Sequence, residues 1–414
     1  MLDASHREDP FDSGGYSRRV PKHDVAVYSP PTGNLYRRSR GRTGGAERQM
    51  ALLASELARR GRRVAVVVYP VPDPGPEVDG RLTLVERRTH AGEGAKGALV
   101  EAVRVIRALV RANARVVVVR GGKSVVGVVA VYCVIWRRKL VFSSANDFDF
   151  LGRAELTGRR LRLYRFGVRR ADAVVVQSTR QLELARQAFP TVSASRLVRI
   201  PSFAGELPSP VDGTPTDFFW IGRLIDYKRP LVYADLAAAM PDARFVLIPL
   251  LPPDLTEEQS DLLAQLEAAA ARTPNLAVES SLSHGALMGR LGRAVAVVNT
   301  SLFEGMPNTF IEAWSLGVPV LTLSFDPDDV VRTNALGVAA GGSWERFVGG
   351  ARELWEGRLE RDGLSSRLLA YVRETHATEA VGRQWDALLE RLGAVPRRDA
   401  PRPPGDRPLA RDPA

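Results

Sequence analysis

The stretch AVAVVNTSLFEGMPNTFIEAWSLGVPVLTLS, residues 294–324, reads as a complete strand, loop, helix and strand. Its first run, AVAVVNTS, and its last, VPVLTLS, are continuously apolar, as strands buried on both faces are. Between them PNTFIEAWSLG carries Pro307 in the first turn of a helix and Gly317 as its stop.

The same alternation recurs along the chain. DVAVYSP (24–30), RRVAVVVYP (62–70), ARVVVVRG (114–121), RKLVFSS (138–144) and ADAVVVQS (171–178) are short β-branched runs, with amphipathic stretches between most of them. The pattern pauses at AGELPSPVDGTPTD (204–217), rich in Pro and Gly. It restarts with FFWIGRL (218–224), ARFVLIPL (243–250) and NLAVES (275–280). Parallel sheets covered by helices follow, hence an α/β fold. Two doubly wound domains are expected, residues 23–204 and 217–375, joined by a linker at 205–216. Ligands of such sheets sit beyond the carboxyl ends of the strands, so the domains are expected to face each other across a cleft. The ends, 1–22 and 396–414, read as disordered tails from their Pro and charge content.

Composition narrows the function classes. At 414 residues the chain exceeds what one core usually supports, and 45% hydrophobic with 25% charged residues is globular. The net charge of +11 suits a phosphate-bearing partner, yet only Lys22, Lys96, Lys123, Lys139 and Lys228 are lysines, so the arginine excess reads mainly as GC-rich codon usage. No nucleic-acid-binding module or aromatic-basic interleaving is visible, so no nucleic-acid partner is expected. The single cysteine, Cys133, sits in an apolar run and suits a reducing compartment as inert core. MLDASHREDPFDSGG lacks a basic start and an apolar stretch, so export is not expected and the location reads as cytoplasmic. The longest apolar run, Ser124 to Trp136, is too short to cross a bilayer and reads as a buried helix. GRRLRLYRFGVRRAD (158–172) sets six arginines among Leu161, Leu163, Tyr164, Phe166 and Val168. Either it lies on the inner face of an anionic membrane or it is an Arg-rich surface helix.

Chemistry concentrates in the second half. Glu304 lies in the loop at a strand's carboxyl end, and Gly305, Met306, Pro307, Asn308 and Thr309 form a helix start whose free N–H groups favour a phosphate. Glu312, flanked by Phe310, Ile311 and Ala313, is a carboxylate among apolar neighbours and needs hydrogen-bond donors. Two adjacent ribose hydroxyls supply a pair at the right spacing, and Glu304 would then take hydroxyls of a second sugar. The plainer alternative makes Glu304 a loop charge and Glu312 part of a solvent stripe. In FFWIGRLIDYK, Gly222 and Arg223 follow a strand and Lys228 comes five residues later. An arginine fork and a lysine there can neutralise two phosphates without a metal, or can be surface charges. No His, Cys and Asp cluster has metal spacing, and His284 and His376 stand apart.

EGMPNTFIEAWSLGVPVL resembles the E-x7-E segment of the large retaining glycosyltransferase family 4, and FFWIGRLIDYK resembles the first strand of that family's C-terminal domain. YSPPTGNLYRRSRGRTGGAERQMALLASELARRGRRVAVV (28–67) resembles its first strand, glycine-rich loop and first helix, with Gly44 and Gly45 where backbone approaches donor or acceptor. That loop lacks GxGxxG. Where the family often carries a histidine, this chain has ANDFDF, with Asn146, Asp147 and Asp149. An Asn and Asp at a strand end either bind sugar or acceptor hydroxyls or cap the next helix. The resemblance covers about residues 24–393, and its strongest motifs lie in the second half.

The resemblance implies the GT-B architecture of two Rossmann-like domains, with a final helix at 376–395 crossing back to the first domain. It implies retaining transfer of a hexosyl unit from a nucleotide-diphosphate sugar to a saccharide or lipid-linked saccharide, in cell-surface polysaccharide or glycoconjugate synthesis. Arg223 and Lys228 would hold the diphosphate, Glu304 the donor sugar and Glu312 the ribose. No cofactor and no metal are expected. A nucleotide-sugar epimerase or hydrolase on the same fold, and a catalytically inactive binding subunit, stay open as alternatives.

Overall fold

Thirteen strands are described, and they form two wholly parallel sheets. The first contains β1 (His23–Tyr28), β2 (Val64–Val68), β3 (Leu82–Glu86), β4 (Ala114–Arg120), β5 (Lys139–Ser143), β6 (Ala173–Val176) and β7 (Leu197–Arg199) in the order β3-β2-β1-β4-β5-β6-β7. The second contains β8 (Asp217–Gly222), β9 (Phe245–Pro249), β10 (Leu276–Val278), β11 (Ala294–Asn299), β12 (Val320–Thr322) and β13 (Gly337–Ala339) in the order β10-β9-β8-β11-β12-β13. The coordinates are a computed structural model. They describe residues 20–394 except 38–43, 73–80, 90–91, 93, 153–155, 208–213, 253, 280–281, 283 and 358–360. The proposed tail 396–414, most of the tail 1–22 and half of the linker 205–216 lie outside the described residues.

The central strands are buried along their whole length, Val25 to Tyr28 and Val64 to Val68 in one sheet and Asp217 to Gly222 and Ala294 to Asn299 in the other. That is why their sequences are continuously apolar. Strands β3, β7 and β13 did not announce themselves in this way. β3 is an edge strand that exposes Thr83 and Glu86, and β7 and β13 are three-residue edge strands.

In each sheet the order reverses beside the first strand, between β1 and β4 and between β8 and β11. At such a switch the following helices leave on opposite faces and open a crevice at the strands' carboxyl ends. The loops after β1, β4, β8 and β11 are therefore the ones placed to meet a ligand.

The chain passes to the second domain after β7 and returns at His376. Ala204 N donates to His376 O at 2.9 Å, and Thr378 Oγ1 donates to Gly205 O at 2.9 Å, so the two crossings are tied together. The helix Thr378–Arg391 buries Val381, Trp385, Leu388 and Leu389 in the first domain's core. Arg62, fully buried, binds Asp386 and the carbonyl of Ala394.

The Ser124–Trp136 run forms the helix Val125–Ile135, but it is not wholly buried. Val134 and Ile135 are 47% and 58% exposed, because a helix laid on a sheet covers only one face. Its neighbour, the helix Gly158–Arg170, touches it backbone to backbone: a Cβ on Gly127 would stand 2.2 Å from Leu163 O. Burial pushes the Cys133 thiol well up, so it carries no thiolate.

Candidate active site at the interdomain cleft

Strand β11 delivers the chain to a loop at Thr300–Pro307, the helix Asn308–Ser315 follows, and Gly317, with φ +70°, turns the chain into β12. Pro307 is the N-cap and not a first-turn residue, a one-place correction. Phe310 and Trp314 are fully buried, and Trp314 Nε1 donates to Leu336 O at 3.2 Å, which fixes how the helix sits.

The loops after β8 and β11 are knitted together. Trp220 Nε1 donates to Thr300 Oγ1 at 3.0 Å, Thr300 Oγ1 donates to Lys228 O at 2.6 Å, and Leu302 N donates to Tyr227 O at 2.9 Å. Arg229, held in the left-handed region at φ 47°, donates through Nε to Thr300 O at 2.8 Å and through Nη2 to Ser324 Oγ at 2.7 Å.

This knitting brings Lys228 and Glu304 into a direct ion pair, both side chains mostly buried. Ser301 Oγ donates to the same carboxylate oxygen at 2.9 Å. Arg223, after Gly222 on the same strand end, is exposed and has no ion-pair or hydrogen-bond partner among the described residues. The structure does not bring it against either glutamate.

Glu312 faces the other domain. Arg48, on the helix Gly45–Arg59, places Nε 3.8 Å from Glu312 Oε1 and also bonds His284. Burial pushes the Glu312 carboxyl up to about 7, with Arg48 pulling it back. One residue on, Gln49 Nε2 donates to Asn308 Oδ1 at 3.1 Å. A Cβ on Gly45 would stand 2.0 Å from Asn308 Nδ2, so the starts of the two helices approach as closely as glycine allows. Gly44 is the N-cap of the first of them. Gly305 fits equally tightly: its Cβ would lie 2.8 Å from Gln181 Nε2 and 3.2 Å from Ala145 O. The segment from Gly305 to Glu312, with Met306, Pro307, Asn308 and Thr309 between, thus lines the junction.

Asn146 and Asp147 sit opposite Gly305. Asp147 is buried and accepts from Arg180 Nε at 2.9 Å. Burial raises its pKa and Arg180 opposes the rise. It occupies the N-cap position of the short helix Phe148–Leu151 but makes no capping bond. Asp149 organises the loop instead, accepting from Gly122 N at 2.8 Å and Ala145 N at 2.6 Å. Phe148 packs edge-on against Tyr227 and Phe303 of the second domain.

Sequence reasoning missed Arg48, Arg180, Arg229 and Asp328. Asp328, at φ 51°, accepts Thr179 N and, at 2.9 Å, Arg180 N, capping a helix of the opposite domain. Nothing local marks these residues, because each acts on a partner at least 33 positions away. Among the described residues no three His, Cys, Asp or Glu side chains converge as metal ligands, and no helix is long and apolar enough to cross a membrane.

Solved structures show the same architecture. Anabaena HepE, solved with UDP and glucose, is similar over 89% of this chain and 100% of its own, with 16% identity and a TM-score of 0.68. Sucrose-phosphate synthase of Thermosynechococcus elongatus is similar over 90% and 100%, with 16% identity and a TM-score of 0.69. The architecture is GT-B. A glycosyltransferase from Rickettsia africae has the same fold at 11% identity and a TM-score of 0.65, over 90% of this chain and 98% of its own. The family described as "Glycosyl transferase 4-like domain" matches residues 44–202, most of the first GT-B domain. No curated protein sequence matches the chain significantly.

Proposed function

We propose that the protein is a retaining glycosyltransferase that moves a hexosyl unit from a nucleotide-diphosphate sugar to a saccharide or lipid-linked saccharide. The observation that carries this is the segment from Glu304 to Glu312: it lines the GT-B junction with Lys228 on one carboxylate and the first domain's helix start against the other. The family match to residues 44–202 and neighbours solved with UDP, glucose and UDP-glucose support a nucleotide-sugar donor.

In this reading the diphosphate lies against Lys228, Arg223 and the amides at Gly305 to Thr309, where the helix start favours negative charge. Lys228 then turns from Glu304 to phosphate, and Glu304 takes donor-sugar hydroxyls. Glu312, as carboxylate, takes the two ribose hydroxyls. The bond from the anomeric carbon to the phosphate oxygen breaks as the acceptor oxygen bonds the same face, and the acceptor's proton passes to the departing phosphate. Stabilising the leaving diphosphate supplies the electrostatic part of catalysis. Domain opening admits the substrates, since the junction is closed by direct contacts.

The test is incubation with UDP-, GDP- and ADP-hexoses, with and without a saccharide acceptor, reading nucleoside diphosphate. Acceptor-dependent release with the anomeric configuration kept supports transfer. Isomerised donor sugar without acceptor supports the epimerase reading instead.

A peripheral contact with an anionic membrane belongs to the same proposal. The helix Gly158–Arg170 buries Tyr164, Gly167 and Val168, turns its arginines outward and leaves Phe166 39% exposed. Sedimentation with anionic but not neutral vesicles tests it.

A further inference from the structure

The helices Gly94–Ala112, Val125–Ile135 and Gly158–Arg170 form one layer on the first sheet, where Val105, Val129 and Val168 share a core with Val117, Leu140 and Phe142. They also touch one another: Tyr132 Oη donates to Leu109 O at 3.0 Å, and a Cβ on Gly167 would stand 2.7 Å from Gly127 N. Their exposed faces therefore look the same way, outward from the sheet. Eleven large apolar side chains are exposed among the described residues, and six of them, Leu99, Val100, Val103, Val134, Ile135 and Phe166, stand on these three helices. Single exposed ones are ordinary, but a majority gathered on one layer marks an interaction surface.

The helix Gly94–Ala112 holds the densest part. Val105, Ala108, Leu109 and Ala112 face the sheet, and on the opposite side stand Lys96, Leu99, Val100, Val103 and Arg107, at i, i+3, i+4, i+7 and i+11 and all exposed. Leu99 is 67% exposed. An apolar stripe with a cation at either end suits a helix lying in an interface, its apolar side chains among acyl chains and its cations at the headgroups.

Charge gives the sign of the partner. Apart from Glu101, which pairs with the buried Arg87, the three helices contain no acidic residue. The helix Gly158–Arg170 opens with Arg159 and Arg160 against its own dipole, and it spaces Arg159, Arg162 and Arg165 three apart with no carboxylate of its own to offset them. None of its six arginines forms an ion pair among the described residues. These repulsions are relieved by an anionic surface. A second copy of the chain docked face to face would set the cations against each other, and aliphatic side chains give nucleic-acid bases no stacking platform.

We propose that this three-helix face seats on an anionic lipid bilayer, with Leu99, Val100 and Val103 entering the acyl boundary as the anchor and the arginines of Gly158–Arg170 lying on the headgroups. This rests on the membrane contact proposed above and adds to it the apolar anchor on a second helix.

The test is cosedimentation of the full chain, at low and at high salt, with vesicles of phosphatidylcholine alone and of phosphatidylcholine mixed with phosphatidylglycerol. Wild type is expected to bind the mixed vesicles only and to keep part of that binding at high salt, where the electrostatic share is screened. Leu99→Ser combined with Val103→Ser, at two exposed positions, is expected to leave the melting temperature unchanged. It should weaken binding to the mixed vesicles about tenfold through lost apolar insertion and abolish what survives at high salt. Arg162→Gln combined with Arg165→Gln should weaken binding at low salt and spare the salt-resistant part. Undiminished binding by the serine variant overturns the anchor and leaves the arginine helix as the whole contact. Equal binding to neutral vesicles overturns the charge complementarity, and binding to neither overturns both the anchor and the contact it rests on. The proposal also falls if the face proves to be an interface between copies, seen as a dimer in analytical ultracentrifugation that the serine variant breaks, or if duplex DNA is retained as well as the mixed vesicles. Release of nucleoside diphosphate from a soluble sugar nucleotide reads the transferase assignment separately, because none of these side chains is among the residues of the junction.

Discussion

Lys228 donates to Glu304 across the loops that follow β8 and β11, and Ser301 fixes the same carboxylate oxygen at 2.9 Å. The pair stores both charges at the place where a donor would need them, and a diphosphate competes for the lysine as the sugar competes for the glutamate. Glu304→Gln keeps the volume and the Ser301 contact. It leaves the mostly buried Lys228 without its countercharge, so it is expected to lower the melting temperature without unfolding the chain and to lower transfer about 10²- to 10³-fold, the order seen when one preorganised polar contact to a transition state is removed. Turnover equal to wild type would remove Glu304 from the site.

Glu312 gives a pH signature. Its folded pKa, about 7, lies above its ordinary 4.5, so the folded chain holds the proton more tightly than the unfolded one. Its cost to stability is therefore absent below the ordinary value, grows as pH rises, and is complete above about 7. Glu312→Gln is expected to be more stable than wild type by about 3 kcal/mol near pH 8 and no more stable near pH 4.5, measured by denaturant titration at both. Donor affinity should move the other way. If the carboxylate holds the ribose, binding strengthens as pH rises through 7 in wild type and is flat in the glutamine variant.

Arg223 separates function from stability. It is exposed and without a partner among the described residues, so Arg223→Ala is expected to change stability by no more than about 0.5 kcal/mol. Donor affinity, read by titration calorimetry, should fall about tenfold through loss of one charge-assisted contact to phosphate. Unchanged affinity would return Arg223 to the status of a surface charge.

Asp328 holds the domains together. It sits in the left-handed region at φ 51°, followed by Asp329 at φ 56°, and caps the helix Thr179–Ala188 of the other domain. Asp328→Gly removes the cap and relieves the backbone conformation at once. The expected result is a more open particle, with a larger radius of gyration in small-angle scattering and a higher donor KM. An unchanged radius would show that other contacts suffice for closure.

How much of this could be read in the chain depends on where the determining neighbours lie. Central strands such as β1 and β11 are buried on both faces, and their valine runs declare it. β3, open on one side, and the short β7 and β13 carry no such run. The loop position of Glu304 and the helix position of Glu312 followed from the strand, proline and glycine around them. Their partners did not: Lys228 lies 76 residues from Glu304, and Arg48 meets Glu312 only because the domains close.

The decisive measurement is the melting temperature of wild type, Lys228→Ala and Glu312→Gln with a panel of UDP-, GDP- and ADP-sugars. One nucleotide-diphosphate sugar should stabilise wild type, by about 2.7 kcal/mol at a hundredfold excess over its Kd, and stabilise both variants less. A panel in which no sugar nucleotide shifts wild type, or in which both variants shift as much as wild type does, would contradict a donor site at these residues.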